Sequence, residues 1–411
     1  MHWKPTRTAA LERLTAFAPH AGSAYARGRN FDDGPSEDGA RRNVSQLSPW
    51  LHAGQLSETE VIEAVLSRHS PSASEKLVSE VFWRVYFKGY LEQRPTIWRS
   101  YCGGRDAALD ALKEDQAQAY AKATSGQTGI AAFDHWAREL VRTGYLHNHA
   151  RMWFASIWIF TLELDWHLGA DFFLRHLIDG DAASNTLSWR WVGGLHTKGK
   201  TYLARGSNIA RYTERMPDGP LEAKGLSNEA EALVESEDHA RRALDLPDAF
   251  DRPFALILHD EAASHVPLAL PQAPALVIGA ARPDARSPRE VGSLASTFAR
   301  DAVQSGIAEA AAAFGCKSCL WTEERELSAL LDEAGIERVA LPYLPSGWTR
   351  DALMPQLASL VEQGRAIPLL AELSRATWPH AKAGFFGVKK KMPTILDECG
   401  ISGVPSQPKL L

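Results

Sequence analysis

Three short stretches of this chain combine residue types that do chemistry. The densest is Asp179–Trp191, DGDAASNTLSWRW, in which two acids, an Asn and two Trp crowd together. Upstream of it lies His147–Met152, HNHARM, and further upstream Ser79–Phe87, SEVFWRVYF, contributes Glu80, Trp83 and Arg84. On a helix the three-residue spacing puts Glu80 and Trp83 on one face. A fourth stretch, Ser45–Ser48, sets hydroxyls and backbone amides ahead of Pro49, which suits a helix start whose free N–H groups attract an anion. Acids, an amide, a guanidinium and indoles gathered in this way are the makings of a redox cofactor site. Taken singly, each has a plainer use as a cap, a core aromatic or a solvated charge.

These residues need a scaffold, and the chain is long enough for two. At 411 residues it exceeds one comfortable hydrophobic core. Hydrophobic residues at 45% and charged residues at 23% fit a globular protein, and a net charge of -5 leaves any nucleic-acid binding to a local patch. The chain shows neither an apolar run of membrane-spanning length nor a signal-peptide core, so the cytoplasm is the expected location and no membrane the expected partner. Up to about Met216 the apolar periodicity predicts amphipathic helices, among them Glu58–Arg68, Ala73–Gln93, Ile130–Thr143 and Ala150–Trp166. Ten of the thirteen Trp lie there, which marks this half as the seat of the aromatic chemistry. Residues 217–252 read as an acidic, Gly/Pro-punctuated linker with one connecting helix, Asn228–Leu246. Beyond it, apolar runs at Phe254–His259, Ala275–Gly279, Val339–Tyr343 and Ile367–Leu370 alternate with helical segments Ser296–Phe314, Glu323–Gly335 and Thr349–Gly364. That alternation predicts a parallel sheet covered by helices over 253–375, followed by a tail, 376–411.

The helical half resembles the photolyase and cryptochrome family. The resemblance rests on Asn43–Glu58, NVSQLSPWLHAGQLSE, then Ser79–Phe87, then Gly126–Ile130, GQTGI, then Thr143–Met152, TGYLHNHARM, and then Leu177–Trp191, LIDGDAASNTLSWRW. Five blocks in the family's order are a specific signal where one alone is weak. The implied fold is mainly α: an all-helical, photolyase-type FAD-binding domain over 1–216, followed by a smaller α/β Rossmann-like parallel-sheet domain. The family sets its α/β antenna domain before the flavin domain, whereas here the α/β segment follows.

The resemblance also implies roles. FAD is the cofactor, held by Tyr25, Ser45, Gln46, Leu47, Ser48, Arg84, Asn148, Arg151, Asp179, Asp181 and Asn185, with Val44 standing where the family usually has Thr. Arg151 and Asp179 fall where the family forms an ion pair over the ring system, Asp181 at the flavin edge and Asn185 opposite N5, where an amide can donate or accept. Glu80, Trp83, Asn148, Met152 and Trp191 form the lesion pocket, with Glu80 hydrogen-bonding a damaged pyrimidine pair and the two Trp sandwiching it. Asn148 and Met152, where the (6-4) branch usually carries His, point to cyclobutane dimers. Trp189 and Trp166 match the first two members of an electron relay, whose third Trp is absent near Leu112; Trp136, Trp153 and Trp158 are possible substitutes. His149, where repair enzymes often carry Arg, joins Lys198, Lys200 and Arg205 as DNA contacts.

The region Arg190–Arg215 adds charge to that picture, with Arg190, Lys198, Lys200, Arg205, Arg211 and Arg215 against the single acid Glu214. The α/β half carries less chemistry. Cys316 and Cys319, one CxxC without a second pair, read as small buried residues, and no metal site is expected. The expected activity is light-driven repair of cyclobutane pyrimidine dimers by a monomer acting on UV-damaged DNA, with no antenna chromophore identified. A blue-light photoreceptor without repair and a flavin-free helical interaction module are the alternatives.

Overall fold

The computed structural model describes residues 3–35, 40–244, 254–268, 270 and 272–401. Helices fill the first half, and seven of them set the site: α1, Ser23–Gly28; α2, Ser48–His52; α3, Pro71–Gln93; α4, Thr96–Asp110; α5, Asn148–Phe160; α6, Trp166–His176; and α7, Ala182–Val192. The longest, α3, has its start written into the sequence. The Ser70 side chain accepts from the Ala73 amide at 3.3 Å and Pro71 occupies the first helical position, a preferred cap followed by a preorganised φ. Pro95 closes it, because the residue before a proline is driven out of the helical region. Leu77, Val78, Val81, Phe82, Val85 and Tyr86 are buried along one side of α3. Glu80, Trp83, Arg84, Phe87 and Lys88 are half-buried on another.

The second half is a five-stranded parallel sheet of β1, Ala255–His259; β2, Leu276–Ala280; β3, Lys317–Leu320; β4, Val339–Pro342; and β5, Ala366–Leu369, in the order β3-β2-β1-β4-β5. β1, β2 and β4 are buried along their whole length, as expected of strands covered on both faces. The two faces alternate strictly. Leu256, Leu258 and Val277 join a core shared with Trp50, Phe82 and Tyr86 of the helical half, while Ala255, Ile257 and Ile278 face Leu330, Leu353 and Leu357.

Several sequence expectations are corrected. Ala150–Trp166 is not one helix: α5 stops at Phe160, Glu163 takes φ 52°, and Asp165 starts α6 by accepting from the His167 amide at 2.8 Å. A local capping signal outranks the continuing apolar period. The connecting helix is absent over 228–244, and its last two expected residues lie outside the described ones. Instead the segment is laid over the helical half. Leu233 N–H donates to Gly193 O, Arg190 pairs with Glu235, and Arg242 with Glu92, so tertiary partners override a favourable helical composition. The strand β3 goes unpredicted because KSCL is an exposed edge with no apolar run. Cys319 lies on it and Cys316 just before it, and both are half-buried thiols rather than core residues. Helix Glu372–Thr377 runs into the tail, whose described part up to residue 401 adds helices Phe386–Lys389 and Met392–Glu398; the first two of the three pack on α3.

The β1–β4 boundary is where the strand order reverses, and sheets of this topology open a crevice at the carboxyl ends of such strands. Here those ends meet the helical half. Ala263 N–H donates to Ala53 O at 2.7 Å, and Gly54, at φ 63°, approaches so closely that a Cβ would lie 2.6 Å from Ala262 Cα. After β4, Tyr343 OH and the Ser346 amide and hydroxyl donate to the buried Glu92 carboxylate of α3. Gly54→Ala is expected to lower stability by about 2 kcal/mol, from the positive φ and the lost approach together. An unchanged urea midpoint would contradict this account of the junction.

Candidate functional site

Arg151, on the first turn of α5, donates through Nη2 to both oxygens of the buried Asp179 at 3.0 and 2.9 Å and through Nε to Leu146 O at 3.0 Å. The guanidinium is therefore held in one orientation. Two residues on, Asp181 caps α7, accepting from the Ser184 amide and hydroxyl at 2.7 Å each. Asn185, one turn further, donates from Nδ2 to Ala170 O at 2.9 Å. Because a carbonyl can only accept, that bond fixes the amide's orientation and leaves its oxygen as the available acceptor.

Behind Asp181 lies a buried charge cluster that the sequence does not reveal. Lys88 Nζ stands 3.6 Å from Asp181 Oδ2 and 3.2 Å from Glu261 Oε2, and so joins α3, α7 and the loop after β1. Burial works against the Lys88 charge, but Glu261 and Asp181 together hold its pKa above the ordinary ammonium value. Burial would raise Asp181, yet the Lys88 and Arg84 charges hold its carboxyl well below the usual range. His52 is kept neutral by burial and by Arg286, whose Nη2 faces its Nε2 at 3.3 Å. His52, Asp181 and Glu261 offer donor atoms within 4.8 Å of one another, but the Lys88 ammonium already supplies the positive charge between the two acids. Lys88 was legible in principle, since Glu80, Arg84 and Lys88 recur every four residues on one helical stripe. Glu261, 173 residues away, carries no such signal.

On the same stripe, Glu80 pairs with Arg29, which follows α1. Burial pushes the Glu80 carboxyl up and Arg29 draws it back, leaving it above its ordinary value. Tyr25 of α1 is buried, and its phenol is raised by burial and by Glu80. Arg84 is the exception among these cations. Its nearest acid is Glu58 at 3.6 Å, and its buried Nε and Nη2 have no hydrogen-bond partner among the described residues. The guanidinium is thus charge-compensated by Glu58 and Asp181, but buried donors without hydrogen bonds are costly and leave room for a further anionic acceptor.

The remaining expected residues fall as follows. Ser45 and Ser48 are half-buried around the start of α2, whereas Gln46 and Leu47 are buried. Gln46 Oε1 accepts from the Arg41 amide at 2.6 Å, so a ligand would meet this residue through its backbone. Trp83 and Trp191 each stack on another ring: Trp83 on Phe385 at 4.0 Å and 17°, Trp191 on Tyr202 at 5.6 Å and 29°. Asn148 is exposed and Met152 half-buried. Trp189 meets Trp158 edge-on at 6.2 Å, while the ring partner of Trp166 on α4 is Tyr101, at 5.9 Å. Trp136 and Trp153 stack on each other at 5.5 Å, with His149 at 4.6 Å from Trp153. His149 is half-buried, burial lowers its pKa, and Nδ1 is engaged with Asn30 O at 2.9 Å, so any contact it makes with DNA would be as a neutral ring. Arg190 is withdrawn from the basic patch, being buried against Glu235 through two 2.6 Å bonds, whereas Lys198, Lys200 and Arg205 are exposed.

Residues 77–219 match the family model described as the FAD binding domain of DNA photolyase. The deoxyribodipyrimidine photo-lyase of Streptomyces griseus is 32% identical over 232 residues, covering 53% of this chain and 48% of that protein. That of Agrobacterium fabrum is 34% identical over 196 residues, 47% and 39% of the two chains. Among solved structures, a class III photolyase from Agrobacterium tumefaciens superposes with TM-score 0.43 and 30% identity, over 51% of this chain and 43% of the other. A Synechocystis cryptochrome gives 0.42 and 26%, over 52% and 44%. The chain spans about half or less of the length of these relatives.

Two outcomes follow from the charge cluster. Lys88→Met leaves Asp181 and Glu261 buried without their cation and is expected to cost about 3 to 5 kcal/mol, read from chemical denaturation; a loss under 1 kcal/mol would contradict the cluster's role. Asp260, next to Glu261, has its carboxyl pushed up to about 6 by burial. The folded protein thus holds this proton more tightly than the unfolded chain, so its contribution to stability falls as pH rises from about 4 to about 6 and stays low above that. Asp260→Asn should gain on the parent by up to about 3 kcal/mol across that window, and a constant difference at all pH values would refute the assignment.

Proposed function

We propose that this protein is a light-driven DNA repair enzyme acting on cyclobutane pyrimidine dimers, a reading supported by the match of residues 77–219 to the FAD binding domain of DNA photolyase. The observation that carries the reading is the α3 stripe itself, where a carboxyl, an indole and a guanidinium with two donors free of hydrogen bonds among the described residues follow one another at Glu80, Trp83 and Arg84. Arg84 also supplies the test of fit for the cofactor, since a dinucleotide brings the anionic phosphates that its buried Nε and Nη2 lack. Tyr25, the Ser45–Ser48 segment, Asn148, the Arg151/Asp179 pair, Asp181 and Asn185 are the other groups proposed to hold FAD. Reduced FAD held by these residues would supply the photoexcited electron that splitting of the dimer needs and would accept it back.

The chain's own tasks are positioning, electrostatics and proton placement. With its nitrogen tied to Ala170 O, Asn185 presents an acceptor oxygen, suited to an N–H on the cofactor ring. Arg151 and Asp179 set a fixed dipole beside it, preorganised by the Leu146 carbonyl. Glu80, whose carboxyl is raised by burial, is suited to share a proton with a pyrimidine carbonyl as negative charge develops there, with Arg29 yielding its place to the lesion. Trp83, stacked on Phe385, and Trp191, 36% exposed, are the two indoles assigned to flank the lesion. Met152 and Asn148 complete the pocket. Lys198, Lys200 and Arg205 meet phosphates. Trp189 refills the cofactor site with electrons by way of Trp158, its ring neighbour, or of Trp166.

Reduced protein illuminated with dimer-containing single-stranded and duplex oligonucleotides is expected to regenerate monomeric pyrimidines. Light-driven cofactor reduction with dimers left intact in both substrates would instead favour the photoreceptor reading. Glu80→Ala should slow repair by about tenfold with the flavin-to-protein ratio unchanged, and loss of flavin in that variant would contradict its assignment to the lesion. Arg84→Ala should be purified with little flavin; full retention would remove the phosphate role.

A further inference from the structure

The segment Trp378–Lys391 is tied along α3 by its backbone. Gln93 Nε2 donates to Trp378 O and Ala381 O at 2.9 and 3.1 Å, Arg94 Nη2 to Lys382 O at 2.6 Å, and Tyr86 OH to Ala383 O at 2.9 Å. Phe385 then stacks on Trp83 at 4.0 Å, and Lys389 reaches Glu75 at 2.6 Å, near the other end of the helix. The chain thus follows the helix that carries Glu80 and Trp83 from one end to the other. Phe385 and Val388 are buried in this arrangement, but Phe386, between them, is 77% exposed. An aromatic held in water by a segment anchored on both sides of it cannot turn inward without breaking that anchoring.

The charges of the segment have one sign. From Leu373 to Leu396 there are five basic residues and no acid, in a chain whose net charge is -5. Lys382, Lys390 and Lys391 are exposed. A second basic element converges on the same place, because His196 Nε2 lies 3.2 Å from Tyr86 OH and leads into the loop bearing exposed Lys198 and Lys200. An exposed aromatic adjoining the stacked pair Trp83/Phe385, flanked by cations on two independent segments, is the pattern by which proteins hold a nucleic-acid strand, with bases stacking and phosphates neutralised.

We propose that residues 382–391 form a DNA-contacting element of this site, with Phe385 fixing the Trp83 ring, Phe386 stacking on a base beside the lesion, and Lys382, Lys390 and Lys391 neutralising phosphates. This rests on the DNA-repair reading and extends it to a part of the chain outside the matched residues. Full-length protein is titrated in the dark, by fluorescence anisotropy over a range of salt, with labelled oligonucleotides that are undamaged or carry one thymine dimer. The variants are Phe386→Ala and the triple Lys382→Gln, Lys390→Gln, Lys391→Gln, all exposed side chains whose loss should leave the melting temperature unchanged.

The triple variant should bind both oligonucleotides more weakly, with a salt slope smaller by about 2 to 3. Phe386→Ala should lose about fivefold or more in affinity at an unchanged slope. Parental affinity and slope in both variants would overturn the proposal while a dimer preference of the parent leaves the repair reading intact. Equal binding of damaged and undamaged DNA, weakened in both variants, would sustain the element and count against dimer recognition. A parent that binds neither oligonucleotide would overturn both.

Discussion

The contact of Lys88 with Asp181 and Glu261 is the constraint from which the arrangement follows. One ammonium serves two carboxylates, one capping α7 and the other closing β1, and both carboxylates are removed from bulk water while Lys88 is half-buried. Desolvation makes any one of these charges prohibitive alone, so the helical half and the sheet cannot separate without leaving at least one unmatched. The same Asp181 belongs to the proposed cofactor pocket. The junction between the halves and the floor of the site therefore share a residue, and the α/β half bears on the site although it presents no catalytic motif.

Helix α3 distributes that constraint. One side enters the core through Phe82 and Tyr86, another carries Glu80, Trp83, Arg84 and Lys88, and its C-terminal turn offers Glu92 to Tyr343, Ser346, Arg242 and Arg350. A buried carboxylate with this many donors is well satisfied, which lets Glu92 act as a fixed point for the polypeptide beyond β4. The carboxyl ends of β1 and β4 are thereby committed to α3. The reversed order of the two halves along the chain, with the sheet following the helices, brings the C-terminal segment back along α3 and onto Trp83.

How much of this could be read beforehand depended on the range of the interaction concerned. Ser70 and Pro71 announce α3, Asp181 announces α7, and the apolar runs of β1, β2, β4 and β5 announce a covered parallel sheet, because caps and periodicity act within a few residues. The five ordered blocks likewise brought together Glu80, Arg84, Arg151, Asp179 and Asn185 as a candidate site. The edge strand β3 escaped because its residues face water, and the break between α5 and α6 because an apolar period runs through it.

What the sequence determined alone was local: helix starts, strand identity, and the residue types available to a cofactor and a lesion. Tertiary structure decided which of those residues remain available. It withdrew Arg190 from the surface, tied the half-buried His149 to a backbone carbonyl, turned Gln46 inward, and covered one face of Trp83 with a ring about three hundred positions away in the chain. It also denied residues 228–244 a helix by giving their backbone and charges partners on the helical half. The physical reason is the same in each case. Burial and ion pairing depend on distances between distant segments, and neither leaves a period or a spacing in the chain that a local pattern can register.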